Sequence, residues 1–162
     1  MAIVDYFLKL DGIQGESNDS KHKNEIEIES FSWGEAQSGT ASFGGGMGGG
    51  KVQMQDFHFV MRVNKASPKL MLACATGDHI KNGILICRKA GKDQQEYLKV
   101  TFTDLLVSSY QTGGSGGAAV VPMDQISLNF TKVEMEYKEQ KPDGTLGGAI
   151  KAFYDMKEQI SG

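Results

Sequence analysis

The sequence predicts a mainly β fold, a β-barrel formed by two packed sheets with one flanking α-helix. Three observations carry that expectation. Apolar and polar residues alternate through most of the chain, the period of a strand with one buried face. Glycine-rich turns separate the alternating runs. A single segment carries the start and stop signals of a helix. With 162 residues the chain suits one domain with a sizeable core. Residues 1–162 are therefore expected to form one unit, with 149–162 as a C-terminal tail of weaker pattern.

The elements follow in order. "IVDYFLKLDG" sets Val4, Tyr6, Leu8 and Leu10 against Asp5 and Lys9. "NEIEIESFSWG" alternates Ile26 and Ile28, then changes phase to Phe31 and Trp33, which predicts a bulge. Val52 and Met54 alternate before a shift to Phe57, Phe59, Met61 and Val63, predicting one long strand with a bulge near Asp56. "NKASPKLMLACATG" predicts the helix, with Ser67 as N-cap, Pro68 at the first helical position and Gly77 as the stop. Its apolar stripe is Leu70, Met71, Ala73 and Cys74. "GILICRKAG" and "EYLKVTFTDLLVSSYQT" read as strands joined by the polar turn "GKDQQ". "MDQISLNFTKVEMEYKEQ" places Ile126, Leu128 and Phe130 on one face, then Val133, Met135 and Tyr137 after another slip. An open sheet of such strands has edges that invite association. Either the barrel closes or neighbouring copies cover them, and the spacing leaves both open.

Composition narrows the function classes. A net charge of −3 with scattered lysines gives no basic stripe for nucleic acid. No apolar run approaches the roughly 20 residues of a membrane helix. "MAIVDYFLKLDG" lacks the basic and apolar regions of a secretory signal, so the chain is expected to be cytoplasmic and to leave the cell only by a route that reads no such signal. Cys74, Cys87 and the three histidines lack metal-ligand spacing, and no metal or cofactor is expected. Both thiols lie in apolar runs and are expected to pack as small hydrophobes.

"SFGGGMGGGKVQMQDF" looks at first like a phosphate cradle, since Gly45, Gly50 and Lys51 fit most of G-x-x-x-x-G-K-[ST]. Val52 occupies the position of the metal-holding hydroxyl, and strand alternation follows where a cradle needs a helix. The nucleotide reading fails on both counts. "TGGSGG" frames Ser115 with glycines but lacks the spacing of a catalytic elbow. Glu25, Glu27 and Glu29 alternate along one strand as an exposed acidic face, not a convergent acid–base pair. No catalytic residues are assigned.

The order of segments carries a resemblance. "YFLKLDGIQGES", "IESFSWG", the glycine loop with "KVQMQDF", "SPKLMLACATGDHI", "EYLKVTFTDLLVSSYQTGGSGG" and "ISLNFTKVEMEYKEQKPDG" occur in the order of the haemolysin-coregulated proteins, Hcp. From Val4 to Gly148 the chain resembles this family, the tube proteins of bacterial type VI secretion. The resemblance implies a fold like that of phage tail tubes. It implies a homohexameric ring, with rings stacking into a tube within a contractile sheath behind a VgrG-type spike. It also implies small effector proteins carried in the lumen, and export from the cell. No fused toxin domain is expected.

Within that frame, Phe43, Gly44, Gly45, Gly46, Met47, Gly48, Gly49 and Gly50 are expected to form a loop lying against the next protomer, where backbone freedom counts. Met54 could serve as a further anchor or as core. Ser32 and Ser115 are candidate lumen residues touching cargo. Arg88, Lys89, Lys92 and Asp93, in the turn region "RKAGKDQQ", are candidate ring-stacking residues together with the C-terminal tail. The alternatives are a monomeric small-ligand-binding β-barrel and a hydrolase using Ser115 or Cys74.

Overall fold

The computed structural model describes residues 4–39, 49–89, 94–117 and 121–162. β1 (Val4–Leu10) pairs antiparallel with the short β2 (Ile26–Glu27), and β3 (Ser30–Ser32) follows. β4 (Glu35–Gly39) and β5 (Gly49–Met54) form a hairpin sheet of their own. β6 (Phe57–Arg62) precedes α1 (Ser67–Thr76), then β7 (His79–Lys89), β8 (Glu96–Gly113), β9 (Met123–Gln140), β10 (Leu146–Asp155) and β11 (Ile160–Ser161). The main sheet runs β11-β10-β9-β8-β7-β1-β2, and β6 joins β9 to β3. The expected class holds: mainly β, two sheets and one helix. The sheets are not two equal halves, however. One sheet of nine strands folds over on itself, and its ladder stays open between β2 and β3.

The phase shifts in the sequence mark places where the chain changes partner. Ile26 and Ile28 serve β1, with the Ile28 N–H donating to the Tyr6 carbonyl. Phe31, after the shift, pairs with Phe59 of β6. No bulge is needed there. The predicted single strand over 52–63 is likewise two strands in two sheets, broken at Gln55 and Asp56. Asp56 pins this crossing, accepting from Ser108 Oγ at 2.6 Å and Asn129 Nδ2 at 3.0 Å.

β8 and β9 hold 18 residues each, too long to remain straight within a chain of this size. Both change their buried face at the same level, between Phe102 and Leu105 and between Phe130 and Val133. Asp104 sits there with φ 53°, and the Met156 N–H donates to the Thr131 carbonyl left free. Beyond the bend, β9 pairs with β6 instead of β10. The fold-over encloses Phe57, Phe59, Phe102, Leu105, Leu128 and Phe130, with Phe102 4.8 Å from Phe57 and 4.7 Å from Phe130 between ring centres.

The helix departs from expectation at its start. Ser67 lies inside it, and Ala66 is the N-cap residue with no side-chain cap. Asn64 Oδ1 accepts from the Ala66 N–H, while Ser67 Oγ accepts from the Asn64 N–H. Ser67 Oγ donates to the wholly buried Asp124 at 2.6 Å, tying helix to sheet. Gly77 ends the helix at φ 72°, as predicted. Leu70 and Ala73 are buried, but Met71, expected in the buried stripe, is half exposed. Gly15 is required by close approach, since a Cβ there would lie 2.5 Å from the Glu25 carbonyl oxygen. The tail expected at 149–162 instead holds most of β10 and all of β11, sheet strands whose pattern is obscured because residues 148–152 of β10 are exposed on both faces.

Two outcomes check this packing by urea unfolding at fixed protein concentration. Phe102→Ala lowers stability by about 3–5 kcal/mol through lost burial and a residual cavity. Ser67→Ala lowers it by about 1–3 kcal/mol, because it strips a buried carboxylate of its donor.

Candidate assembly and cargo surfaces

Cross-strand register aligns residues into rows that run the width of the sheet. One row reads Leu8, Leu85, Val100, Met135, Ala152 across β1, β7, β8, β9 and β10. Exposure along it climbs from 0% at Leu8, 1% at Leu85 and 3% at Val100 to 38% at Met135. The next row, Tyr6, Cys87, Leu98, Tyr137, Ile150, ends at 45% and 71% exposed. These residues share one face, because directly paired residues point the same way. The core-facing side of the sheet therefore continues past the folded body and lies bare on β9 and β10. Single exposed apolar residues are ordinary, but an apolar row continuous with a core marks a surface for association.

The opposite face is polar at the β3 end. Ser32, His58, Ser127 and Ser109 align across β3, β6, β9 and β8. His58 Nδ1 and Ser127 Oγ are 2.8 Å apart. Ser32 is exposed, pointing away from the core side taken by Phe31, as the alternation predicts. Ser115 is exposed in the turn after β8. The two serines lie in separate elements, and only Ser32 belongs to the polar row. His58, Ser127 and Ser109 were missed because each occupies a different strand; alternation alone could have assigned their faces.

A third feature is a long segment, residues 11–25, strapped against the outer face of β1, β7 and β8 by charge. Arg88, proposed from sequence as an exposed stacking residue, is only 2% exposed. Its guanidinium donates to Asp19 at 2.7 and 3.0 Å and to Asp5 at 3.1 Å, and lies 4.8 Å above the Phe7 ring. It has no free surface for stacking; Phe7 and the two carboxylates consume it. His22, stacked on Phe7 at 4.3 Å, places Nδ1 3.0 Å from Glu25 and Nε2 2.6 Å from Glu96. Both contacts are donations only when both ring nitrogens carry hydrogen. The hydrogen bond from Arg88 holds the Asp19 carboxyl down at about 2 and raises Arg88 in turn. Burial pushes the Cys87 thiol up to about 12, consistent with a packed, unreactive side chain.

Lys89 is half-buried at the end of β7, bonded to Gln140 and 5.7 Å from the Tyr97 ring centre. Phe43 to Gly46, Met47, Gly48, Lys92 and Asp93 lie outside the described residues. Gly49 and Gly50 begin β5. Met54 packs against the core. Among the described residues no group of three or more His, Cys, Asp or Glu side chains could hold a metal ion, and no helix is long and apolar enough to cross a membrane.

These features define a mainly β protein distinguished by its surfaces: a bare apolar row, a polar row behind it and a charged strap. Known proteins place it further. Residues 7–137 match the family model described as type VI secretion system effector, Hcp. Protein hcp1 of Pseudomonas aeruginosa is 42% identical over 159 residues, spanning 97% of this chain and 98% of that one. The crystal structure of Hcp1 from Salmonella typhimurium is similar at a TM-score of 0.81 and 38% identity, covering 99% of both chains. A structure titled as a type six secretion system protein reaches 0.92 at 30% identity, covering 98% and 99%. The chain belongs to the Hcp family of type VI secretion proteins.

The strap gives a pH signature. Because the Asp19 carboxyl is lowered from 3.8 to about 2 on folding, its contribution is complete above the unfolded value and disappears as pH falls towards 2. Urea midpoints measured over that range should fall with acid, and Asp19→Asn should flatten that part of the profile. At neutral pH, Arg88→Ala should cost about 3 kcal/mol by leaving two carboxylates without their partner.

Proposed function

We propose that this chain is a structural tube subunit of a bacterial type VI secretion system. Six copies close head-to-tail into a ring, and rings stack into a tube that is exported. The observation that carries this reading is the core-side face lying bare on β9 and β10, with Ile150 71% exposed and Tyr137 45% exposed. Burying such a row favours association at about 25 cal/mol per Å². A heterologous contact whose rotation closes makes a ring. Membership of the Hcp family supports the same reading.

In this arrangement the glycine loop from Phe43 to Gly50 lies against the next protomer. The polar row with Ser32, and Ser115 beyond β8, face the lumen and meet small effector proteins. The β7–β8 hairpin with Lys89, Lys92 and Asp93 contributes to stacking; Arg88 does not. A VgrG-type spike at the tip and a contractile sheath outside complete the machine. The enclosed space of the single chain is filled by phenylalanine rings, so no described observation favours the monomeric ligand-barrel reading.

Light scattering at neutral pH should return a hexamer of about 106 kDa, six times the 17.6 kDa chain. A concentration-independent mass of one chain would refute the ring. Ile150→Lys should shift the mass towards one chain while changing protomer stability by less than about 0.5 kcal/mol, as expected of an exposed site. Ser32→Trp or Ser115→Trp should leave ring mass intact and reduce co-purified effector; unchanged recovery would remove those residues from the lumen wall.

A further inference from the structure

Charge is separated along β1. At its Leu10 end, an open pocket of about 750 Å³ is lined by Lys9, Lys21, Lys23, Lys65 and Lys69. Against these five stand Asp11 and Glu25, so the lining carries +3. Glu25 is already engaged by His22. Among the described residues no salt bridge ties any of the five lysines. At the Val4 end lies a second open groove of about 600 Å³. Asp5, Glu16, Asp19, Glu27 and Glu29 line it with Arg88, and Arg62 beside it pairs with Glu29 at 3.1 Å, so five carboxylates against two guanidinium groups leave −3. The six steps of β1 separate the ends by about 20 Å.

In a protein of net charge −3, this polarity concentrates positive charge without salt-bridge partners at one end of a strand and an excess of carboxylates near the other. Two copies meeting like end to like end bring lysines against lysines. Two copies meeting with the same polarity bring unlike linings together. We infer that the five-lysine pocket is a docking surface for the acidic groove of a second copy in the adjoining ring. The inference rests on the tube-subunit reading and adds to it the chemistry that sets the direction and register of stacking. Lysine suits the task, because a mobile point charge tolerates the small rotations of one ring on another better than a bidentate arginine fork. A ring of six carries −18, six times −3, so rings repel at a distance and attract only where these linings face each other within about a Debye length.

The test uses two charge-reversed full-length chains. One carries Lys9→Glu, Lys23→Glu and Lys69→Glu; the other carries Glu27→Lys and Glu29→Lys, leaving the Arg88 clamp untouched. Ring mass is read by light scattering and stacking by sedimentation and electron microscopy over a range of protein concentration and salt. Wild-type rings should stack, less so as salt rises. Either reversed ring alone should need about tenfold more protein to stack, the scale of one lost favourable charge contact. Mixing the two should restore stacking, a result that general destabilisation would not give. Reversed rings that stack like wild type, a mixture no better than its components, or wild-type rings that never associate would each overturn the inference. Loss of the ring itself in the wild type would instead sink the tube-subunit reading.

Discussion

One constraint shapes this molecule: the apolar face of its main sheet is wider than the body that covers it. Leu8, Leu85 and Val100 are sealed because the sheet folds over them, and Met135 continues their row into solvent. The fold-over needs β8 and β9 to bend, which they do where Asp104 takes positive φ and both strands exchange their buried face. The same bend frees the first half of β9 to pair with β6 and the second half with β10. Closing the body and leaving β10 bare are two results of one distortion.

Electrostatics does a different job on the outside of the sheet. The segment from residue 11 to 25 makes little regular structure and is fastened by side chains instead. Arg88 and His22 both lie over the Phe7 ring and reach carboxylates on that segment, with Glu96 of β8 completing the fastening. A surface loop fixed in this way can present charge in a defined pattern, which a mobile loop could not. Its lysines and carboxylates thereby become a polar surface with a direction.

Much of the fold was legible from alternation. Val4 to Leu10, Phe57 to Met61 and Ile126 to Phe130 took the expected faces, since a half-buried strand writes its environment with period two. The phase slips were visible too, but their meaning was not. At Ile28–Phe31 and at Asp56 they mark transfers between partners, and only in β9 does the slip mark a bend within a strand, one that β8 shares. A slip looks the same in sequence in either case. Arg88 shows the reverse failure: a charged residue beside a glycine turn reads as exposed, yet Asp5 and Asp19, 83 and 69 residues away, allow its burial.

What the chain determined by itself was local: strand period, the Pro68 and Gly77 bounds of the helix, the order of segments that marks the family, and the want of a phosphate-binding hydroxyl at Val52. Tertiary structure alone decided which strands became neighbours, that β10 would extend the sheet with its apolar row uncovered, and where charge would gather along β1. The reason is physical. Periodicity records whether a side chain meets protein or water, whereas partner identity depends on residues far apart in sequence that meet only once the sheet has folded over.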